Sequence, residues 1–212
     1  RLVTHKDKIQ IDLTAYQGKD LKADLLRRDF SFNALAYPVS ALPQIEITPH
    51  KDGTARVILK RLQRRNIVDV SGGLQAVADK VIDENNPRVF KEDPLRMLRA
   101  FRSSAELGFS ISPRTLAQIK KDRALIVQSA GERVREELER LFATSKAYEN
   151  LLLMDECGLL TALFPELEAQ RECAEVYYGK GGVLKHTLDV FKRMEYLLDH
   201  LQKAFPKYAA KL

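Results

Sequence analysis

The chain has 212 residues, 45% of them hydrophobic and 30% charged, with a formal net charge of +6 and a pI near 9.3. This composition excludes a disordered polymer and suits one large or two small domains with a buried core. No apolar run approaches the roughly 20 residues that cross a bilayer, so we expect a cytoplasmic protein without a membrane partner. The positive charge indicates an anionic partner, but it does not distinguish a nucleic acid from a nucleotide.

The first 70 residues mix strand and helix patterns. Residues 1–16 alternate apolar and polar side chains around a charged turn, which predicts a hairpin of two strands. Residues 18–37 carry leucine and phenylalanine at helical intervals and predict one helix ending at Pro38. Residues 38–66 are rich in β-branched side chains around Asp52-Gly53, which predicts a second hairpin.

The character of the sequence changes at the glycine pair of "DVSGG" (69–73), after which we predict helices only. Ser112 before Pro113 is typical of a helix N-cap with proline at the first position. The predicted helix ends are Gly108, Gly131 and Gly158. Cys157 and Cys173 are too few for a disulfide framework or a zinc site, and we expect both to be reduced core residues.

The segment "FKEDPLRMLRAFR" (90–102) reads as an amphipathic helix with a cationic stripe. Its predicted apolar face comprises Leu98, Phe101 and Ala105, and its opposite face comprises Glu92, Arg96 and Arg99. One interpretation is a solvated surface, where a Glu92–Arg96 pair contributes about 0.2–0.5 kcal/mol. The other is an anion-binding site, and the spacing alone does not decide between them.

Four segments, at 24–37, 69–74, 92–102 and 131–141, resemble in their order the bacterial class II tRNA nucleotidyltransferase and poly(A) polymerase family. The resemblance covers about residues 9–167. It implies template-independent addition of C and/or A to the 3′ end of tRNA by metal-dependent nucleotidyl transfer. The implied partners are the tRNA 3′ end, ATP and CTP, and the implied cofactor is Mg²⁺. The alternatives are a poly(A) polymerase acting on other RNAs and a non-catalytic RNA-binding helical module.

The resemblance implies an α+β fold, in which the remnant of a nucleotidyltransferase β-sheet head precedes an all-helical neck and body. The expected divisions are a head at 1–70 with an inserted hairpin at about 38–68, a base-reading neck at 71–130, an RNA-binding body at 131–178, and the start of an HD-like segment at 179–212. In that last segment, His186 matches the first ligand of an HD-type phosphohydrolase, but no His-Asp doublet follows it. A structural histidine is the alternative, and the hydrolase is the weakest functional hypothesis.

The resemblance assigns nucleotide binding to a set of polar residues on two segments: Arg28, Asp29, Asn33, Asp93, Arg96, Arg99 and Arg102. Cytosine and adenine present an amino donor beside a ring-nitrogen acceptor, whereas uracil and guanine present a carbonyl beside a ring N–H. The carboxylate of Asp93 and the guanidinium of Arg96 therefore suit C and A. Arg99 and Arg102 are expected to bind phosphates, and the alternative for both is a simple helix-surface charge.

Asp12 lies where relatives hold an acidic residue near the catalytic metals, which makes it the predicted catalytic and metal-binding residue. An outward-facing acid on a half-buried strand is the alternative. The family's Gly-Gly loop and Asp-x-Asp pair are absent ahead of Asp12, so we expect residues 1–212 alone to be inactive.

The remaining charged residues of the matched segments are expected to have structural roles. Asp24 is predicted to be an ordinary helix-surface acid, and Arg27 to be structural or RNA-facing. Glu132, Arg133 and Glu137 match a motif that braces the neck in the family, so structure rather than chemistry is expected of them.

Overall fold

The computed structural model describes residues 2–3, 10–11, 15–41, 46–49, 55–58 and 63–204. Its strands are β1 (Leu2–Val3), β2 (Gln10–Ile11), β3 (Leu35–Ala36), β4 (Glu46–Pro49), β5 (Ala55–Ile58), β6 (Val68–Asp69), β7 (Val81–Ile82) and β8 (Ser110–Ile111). The antiparallel pairs are β1·β2, β3·β6 and β4·β5, and β7·β8 is parallel. Both predicted hairpins are confirmed, while the Asp52-Gly53 turn lies outside the described residues.

Helices make up most of the remainder of the described chain. They are α1 (Leu21–Leu26), α2 (Gly73–Asp79), α3 (Val89–Glu92), α4 (Arg96–Leu107), α5 (Pro113–Asp122), α6 (Gly131–Phe142), α7 (Ala147–Glu156), α8 (Leu159–Leu163), α9 (Glu175–Tyr178) and α10 (Gly182–Ala204). Short 3₁₀ turns cover Ser31–Asn33, Val39–Ala41, Arg64–Asn66, Arg123–Gln128 and Pro165–Gln170. Among the described helices, none combines the length and the apolar character needed to traverse a bilayer.

Helix α4 lies at the centre of the hydrophobic core and contacts α6 and α7. Its predicted apolar face is confirmed, because Leu98, Phe101 and Ala105 are all buried. Around it the core gathers large side chains from the flanking elements, among them Phe30, Phe90, Ile119, Leu141 and Met154. The predicted α+β class is confirmed, and the predicted domain boundaries stay predictions.

The helix predicted across residues 90–102 is interrupted, and this prediction was wrong at Asp93 and Pro94. Helix α3 ends at Glu92, and Asp93 is extended with φ −148° and ψ 99°. Pro94 disfavours the helical conformation of the residue before it, and it has no N–H to donate to a preceding turn. Arg96 therefore starts a new helix, and Asp93 lies in the break rather than on a helix face.

The single helix predicted over 18–37 was also wrong beyond Leu26, where α1 ends. The backbone of Phe30 forms an antiparallel bridge with Glu84, and its buried ring joins the core. The side-chain oxygen of Asn33 accepts a hydrogen bond from the Phe30 N–H at 3.3 Å, which stabilises a 3₁₀ turn. Tertiary pairing of this segment outweighs its helical periodicity.

Two smaller expectations fail in the helical half. The parallel strands β7 and β8 occur where only helices were predicted. Gly131 begins α6 instead of ending a helix, whereas Gly108 ends α4 and Gly158 separates α7 from α8 as predicted. The predicted N-cap is confirmed, since the Ser112 side chain accepts a hydrogen bond from the Thr115 N–H.

The start of α2 explains the sequence "DVSGG". The carboxylate of Asp69 accepts hydrogen bonds from the N–H groups of Ser71, Gly73 and Leu74 at 3.2, 2.9 and 3.0 Å. A Cβ on Gly73 would lie 2.2 Å from the carbonyl oxygen of Ser31, so only glycine allows α2 to approach the 3₁₀ turn so closely. This motif therefore fixes α2 against the segment that precedes β3.

The two cysteines differ in environment. Cys157 is a buried, reduced core residue as predicted, and burial raises the pKa of its thiol. Cys173 is exposed, so its predicted core position is wrong. It lies between the Pro165–Gln170 turn and α9 and does not belong to the buried core cluster.

Candidate functional site

A polar cleft of about 300 Å³ lies between the α1 segment and the start of α4. Its lining residues are Gln17, Asp24, Arg27, Arg28, Asp29, Arg96 and Arg99. The cleft therefore brings together Arg28, Asp29, Arg96 and Arg99 from the predicted nucleotide-binding set, although about 70 residues separate its two sides in sequence. Gln17 was missed because no local pattern connects it to the cleft.

The α1 wall of the cleft is organised by Asp24. This carboxylate accepts a hydrogen bond from the Gln17 N–H at 2.9 Å and one from Arg28 Nη2 at 3.0 Å. Both interactions lower the pKa of Asp24, the backbone hydrogen bond most. Asp24 is only 8% exposed, so its predicted role as a surface acid is wrong: it is a buried residue that fixes Arg28.

The two arginines of this wall have different surroundings. The Arg28 side chain is 51% exposed, so most of its donors remain open to solvent in the cleft. Arg27 Nη1 donates to the carbonyl oxygen of Gln17 at 3.1 Å, which agrees with a structural role. Arg28 is thus the cation of this wall that is best able to take up an anion.

On the opposite wall, Arg99 is held between two carboxylates. Its Nη1 donates to Asp29 Oδ2 at 3.2 Å and its Nε donates to Glu137 Oε1 at 3.0 Å. Burial lowers the pKa of Arg99, but the charges and hydrogen bonds of Asp29 and Glu137 outweigh burial and raise it. Arg99 therefore stays charged, and its guanidinium is fixed in orientation.

Arg96 lines the cleft beside Arg99 and is less completely paired. Its Nη1 donates to Glu92 Oε2 and to the carbonyl oxygen of Val89, both at 3.3 Å, so the predicted Glu92–Arg96 pair is present. Its Nε is buried and has no acceptor among the described residues. A guanidinium carries five N–H donors, and an unpaired buried donor is unfavourable. Both described side-chain hydrogen bonds of Arg96 use Nη1, so the guanidinium retains other donors for a ligand.

Asp93 does not line the cleft. Its Oδ2 accepts from Arg133 Nη2 at 2.8 Å, and its Oδ1 accepts from the Leu95 N–H at 3.3 Å. No hydrogen bond joins Asp93 to Arg96 in the described part of the chain. The two predicted base-reading side chains are thus close in sequence but are each held by a different partner.

Arg102 and Asn33 also lie outside the cleft lining. Arg102 donates from Nε to Glu137 Oε2 and from Nη1 to Glu106 Oε2, both at 2.6 Å. These contacts make it part of an ion-pair ladder between α4 and α6 rather than an open phosphate ligand. Asn33 is exposed, and its side-chain oxygen caps its own turn, so its nucleotide-binding role stays a prediction.

Glu137 links the two arginines of that ladder. Its side chain is only 9% exposed, with one oxygen on Arg99 and the other on Arg102. Glu106 continues the ladder by accepting from Arg140 Nη2 at 2.8 Å. The structural role expected of Glu137 agrees with these contacts, whereas Glu132 is exposed.

The described residues hold no cluster of three or more metal-ligating side chains. Asp12, the predicted metal ligand, lies outside the described residues. Across the ranges that the structure does describe, no three His, Cys, Asp or Glu side chains converge in a way that could hold a metal ion. This result includes His186, which is exposed and stacks on the ring of Tyr178 with centroids 4.4 Å apart.

A second polar cleft, of about 570 Å³, lies between α5, α7 and α8. Lys120 and Arg123 line it, and Lys121 is adjacent; all three are exposed. Arg171 also lines this cleft, but Asp155 and Glu168 pair with it and raise its pKa, the Asp155 hydrogen bond most. The other three cations have no carboxylate within ion-pair distance in the described part of the chain, so we define Lys120, Lys121 and Arg123 as the α5 basic cluster.

Comparisons with known proteins agree on one family. Residues 108–171, which contain the α5 basic cluster, match the family model described as the probable RNA and SrmB-binding site of polymerase A. The CC-adding tRNA nucleotidyltransferase of Halalkalibacterium halodurans is 32% identical over 159 residues, which are 74% of this chain and 36% of that protein. Poly(A) polymerase I of Escherichia coli O157:H7 is 34% identical over 149 residues, 69% of this chain and 27% of that protein.

Solved structures show the same relationship. The Bacillus stearothermophilus CCA-adding enzyme in complex with CTP has 31% sequence identity and a TM-score of 0.51, covering 67% of this chain and 30% of that one. The Thermotoga maritima CCA-adding enzyme in complex with tRNA has 25% sequence identity and a TM-score of 0.53, covering 69% of this chain and 32% of that one. The chain spans about a third of the length of the relatives that it matches. It belongs to the family of tRNA nucleotidyltransferases and bacterial poly(A) polymerases.

Proposed function

We propose that this chain supplies the nucleotide-selecting and RNA-binding part of an enzyme that adds C and/or A nucleotides to the 3′ end of tRNA. The observation that carries the proposal is the convergence of Arg28, Arg96 and Arg99 in one polar cleft. A cleft with this many guanidinium groups suits a nucleoside triphosphate, because arginine binds phosphate oxygens and base acceptors with several donors at once. Family membership supplies the reaction class.

Base selection is assigned to the junction of α3 and α4. The described hydrogen bonds of Arg96 use only its Nη1, so its guanidinium retains donors, and the Asp93 carboxylate retains acceptor sites beyond its contacts with Leu95 and Arg133. Together they match the donor and acceptor edge that cytosine and adenine share. A base placed between them would bond to both, whereas uracil or guanine would present like groups and lose both bonds.

Phosphate binding is assigned to Arg28 and Arg99, and not to Arg102. Arg28 is about half exposed in the cleft, and Arg99 lines the same cleft with its side chain 34% exposed. Arg102 pairs with two carboxylates as Arg99 does, but it is only 15% exposed and does not line the cleft. The ladder of Arg102 with Glu137 and Glu106 is therefore a support that holds Arg99 at the cleft.

We assign Asp12 to the catalytic metal centre, which in the family also requires a Gly-Gly loop and an Asp-x-Asp pair to hold Mg²⁺. The sequence holds no Asp-x-Asp at any position and no Gly-Gly ahead of Gly72. We therefore expect no incorporation of labelled CTP or ATP into a 3′-trimmed tRNA by residues 1–212 alone in Mg²⁺. Robust incorporation by this chain would contradict the assignment of the metal centre.

Nucleotide binding tests the proposal directly. We expect calorimetric titration of the chain with the four triphosphates to give tighter binding of CTP and ATP than of UTP and GTP. A good bidentate base contact is worth about 1–3 kcal/mol, which corresponds to about 5- to 150-fold in affinity. Arg96→Ala should remove this preference, whereas Arg135→Ala, at an arginine that is 77% exposed and paired only with Glu139 among described residues, should not. Equal affinity of the wild type for all four would refute the proposal.

RNA binding is assigned to the α5 basic cluster in the helical half. Because phosphate contacts release counterions, we expect affinity for tRNA to fall steeply with salt. Replacing Lys120 and Lys121 by Gln should weaken binding and reduce the salt slope, while the same change at Lys185, which pairs with Asp189 at 2.7 Å, should have a smaller effect. A tRNA affinity that does not change between low and moderate salt would contradict this assignment.

Addition of poly(A) to other RNAs is the second candidate function. Its specific support is the match of residues 108–171 to a model described for polymerase A, together with similarity to Poly(A) polymerase I. A comparison of CTP and ATP affinities separates the two candidates. A poly(A) enzyme should strongly prefer ATP, whereas an enzyme that adds C should bind CTP at least as tightly.

A further inference from the structure

Asp93 lies outside both of the helices that flank it in sequence. It occupies the break between α3 and α4 in an extended conformation, so neither helix fixes the direction of its carboxylate. Its contact with the Leu95 N–H is long, at 3.3 Å, and its contact with Arg133 Nη2 is short, at 2.8 Å. Charge-assisted hydrogen bonds of the shorter kind are about twice as strong as neutral ones. Arg133 is therefore the dominant restraint on Asp93.

We propose that Arg133 on α6 is a positioning residue that holds the Asp93 carboxylate in its base-reading orientation and so determines selection against U and G. The proposal rests on the proposed function, because it assigns a determinant of that function's base selectivity. It goes beyond the bracing role that the sequence pattern indicates for Arg133. Arg133 acts through Asp93 and is not assigned any contact with the nucleotide.

The surroundings of Arg96 explain why such a restraint is needed. Arg96 is three residues from Asp93, and its described side-chain hydrogen bonds use only Nη1. A carboxylate released from Arg133 would find in Arg96 an opposite charge with open donors. The two base-reading groups would then bind each other, and neither the carboxylate nor the guanidinium would be available to bind the base. Arg133 keeps Asp93 paired elsewhere, while Glu92 and the Val89 carbonyl hold Arg96.

The restraint still leaves Asp93 able to accept from a base. An ionised carboxylate offers about four lone-pair sites on two oxygens. Leu95 takes one on Oδ1 and Arg133 takes one on Oδ2. The Asp93 side chain is 24% exposed, so a nucleobase amino group can approach the remaining sites.

Arg133→Gln tests the inference, with Arg135→Gln as the matched control on the same helix. Arg133 is 47% exposed and Arg135 is 77% exposed, so we expect both variants to fold. In titrations with the four triphosphates, Arg133→Gln should lower the ratio of CTP to UTP affinity about tenfold. Arg135→Gln should leave the ratio at its wild-type value, and Arg133→Lys, which keeps one charge but loses the fork, should restore it in part.

A double variant separates positioning from general support. If Arg133 acts only through Asp93, Asp93→Asn combined with Arg133→Gln should be no less selective than Asp93→Asn alone, because both remove the same contact. A purely structural role would instead lower the affinity for all four triphosphates equally and lower the melting temperature. That pattern would overturn the inference.

The remaining outcomes distinguish the inference from the proposed function. A wild-type chain without any preference among the four triphosphates would overturn both. A preference that Asp93→Asn abolishes and Arg133→Gln leaves at the wild-type ratio would overturn the role of Arg133 alone. A preference that survives Asp93→Asn would remove Asp93 as a base reader and with it the reason for positioning it.

Discussion

Replacement of Glu137 by Gln tests the ion-pair ladder that supports the cleft. Glu137 is buried, and each of its oxygens accepts from a different guanidinium, that of Arg99 at 3.0 Å and that of Arg102 at 2.6 Å. The amide keeps the shape of the carboxylate but loses its charge, and its NH2 group turns donors toward one of the two arginines. Removing one partner of a fully buried ion pair costs about 3–5 kcal/mol.

The expected cost here is smaller, because Arg99 and Arg102 are 34% and 15% exposed and water compensates them in part. We expect about 2–3 kcal/mol of lost unfolding free energy. For a chain of this size each kcal/mol lowers Tm by about 2–4 °C, so Tm should fall by about 4–12 °C.

Thermal unfolding followed by circular dichroism measures this change. The control is Glu139→Gln on the same helix, whose carboxylate is 63% exposed and pairs with the exposed Arg135. Such a surface pair contributes about 0–1 kcal/mol, so the Tm of the control should stay close to the wild-type value. Equal melting temperatures for Glu137→Gln and the wild type would refute the view that this ladder holds α4 against α6.

Further predictions concern the start of α2, where Asp69 and Gly73 hold it against the Ser31–Asn33 turn. Gly73→Ala should lower the unfolding free energy by about 1–3 kcal/mol in urea denaturation, because its Cβ would lie 2.2 Å from the Ser31 carbonyl oxygen. Gly131→Ala, whose Cβ would have nothing within 4 Å, should not destabilise, and equal losses would contradict this account. Burial raises the pKa of Asp69, but hydrogen bonds from the backbone N–H groups that follow it outweigh burial and lower it below the ordinary value of 3.8. A carboxylate whose pKa is lowered in the folded state stabilises the fold above its unfolded-state pKa, and this stabilisation is lost as the pH falls through the folded-state pKa. Asp69→Asn should therefore destabilise the fold at pH 7 and differ less from the wild type in stability at pH 3.

Sequence patterns predicted the features whose causes are local. The apolar face of α4, the Ser112 N-cap, the break at Gly158 and the β4·β5 hairpin all follow from the spacing of neighbouring side chains, and all are present. The break between α3 and α4 could also be predicted from Pro94, because proline disfavours a helical conformation of the residue before it. The apolar residues on both sides of Pro94 have helical spacing, and this spacing predicted one continuous helix instead.

The features that sequence patterns did not predict depend on residues distant in the chain. Phe30 leaves the helix pattern because Glu84 pairs with it, and β7 forms because β8 lies parallel to it. The same reason applies to the site. Arg96, Arg99 and Arg102 follow one another at intervals of three residues on α4. Arg99 lines the cleft, whereas Arg102, which shares Glu137 with it, does not and pairs also with Glu106. Only the tertiary packing of α4 on α6 distinguishes these two arginines.

Asp93→Asn tests the central claim, that the α3–α4 junction reads the base edge, most directly. The measurement is the affinity of the wild type and of this variant for CTP, ATP, UTP and GTP under one set of conditions. An amide can rotate to present a donor as well as an acceptor, so we predict that UTP and GTP gain relative to CTP and ATP, whose amino groups lose a charged acceptor. If Asp93→Asn left both the affinities and the four-way preference at wild-type values, the base-reading role would be wrong, and the arginines of α4 would be salt-bridged surface residues.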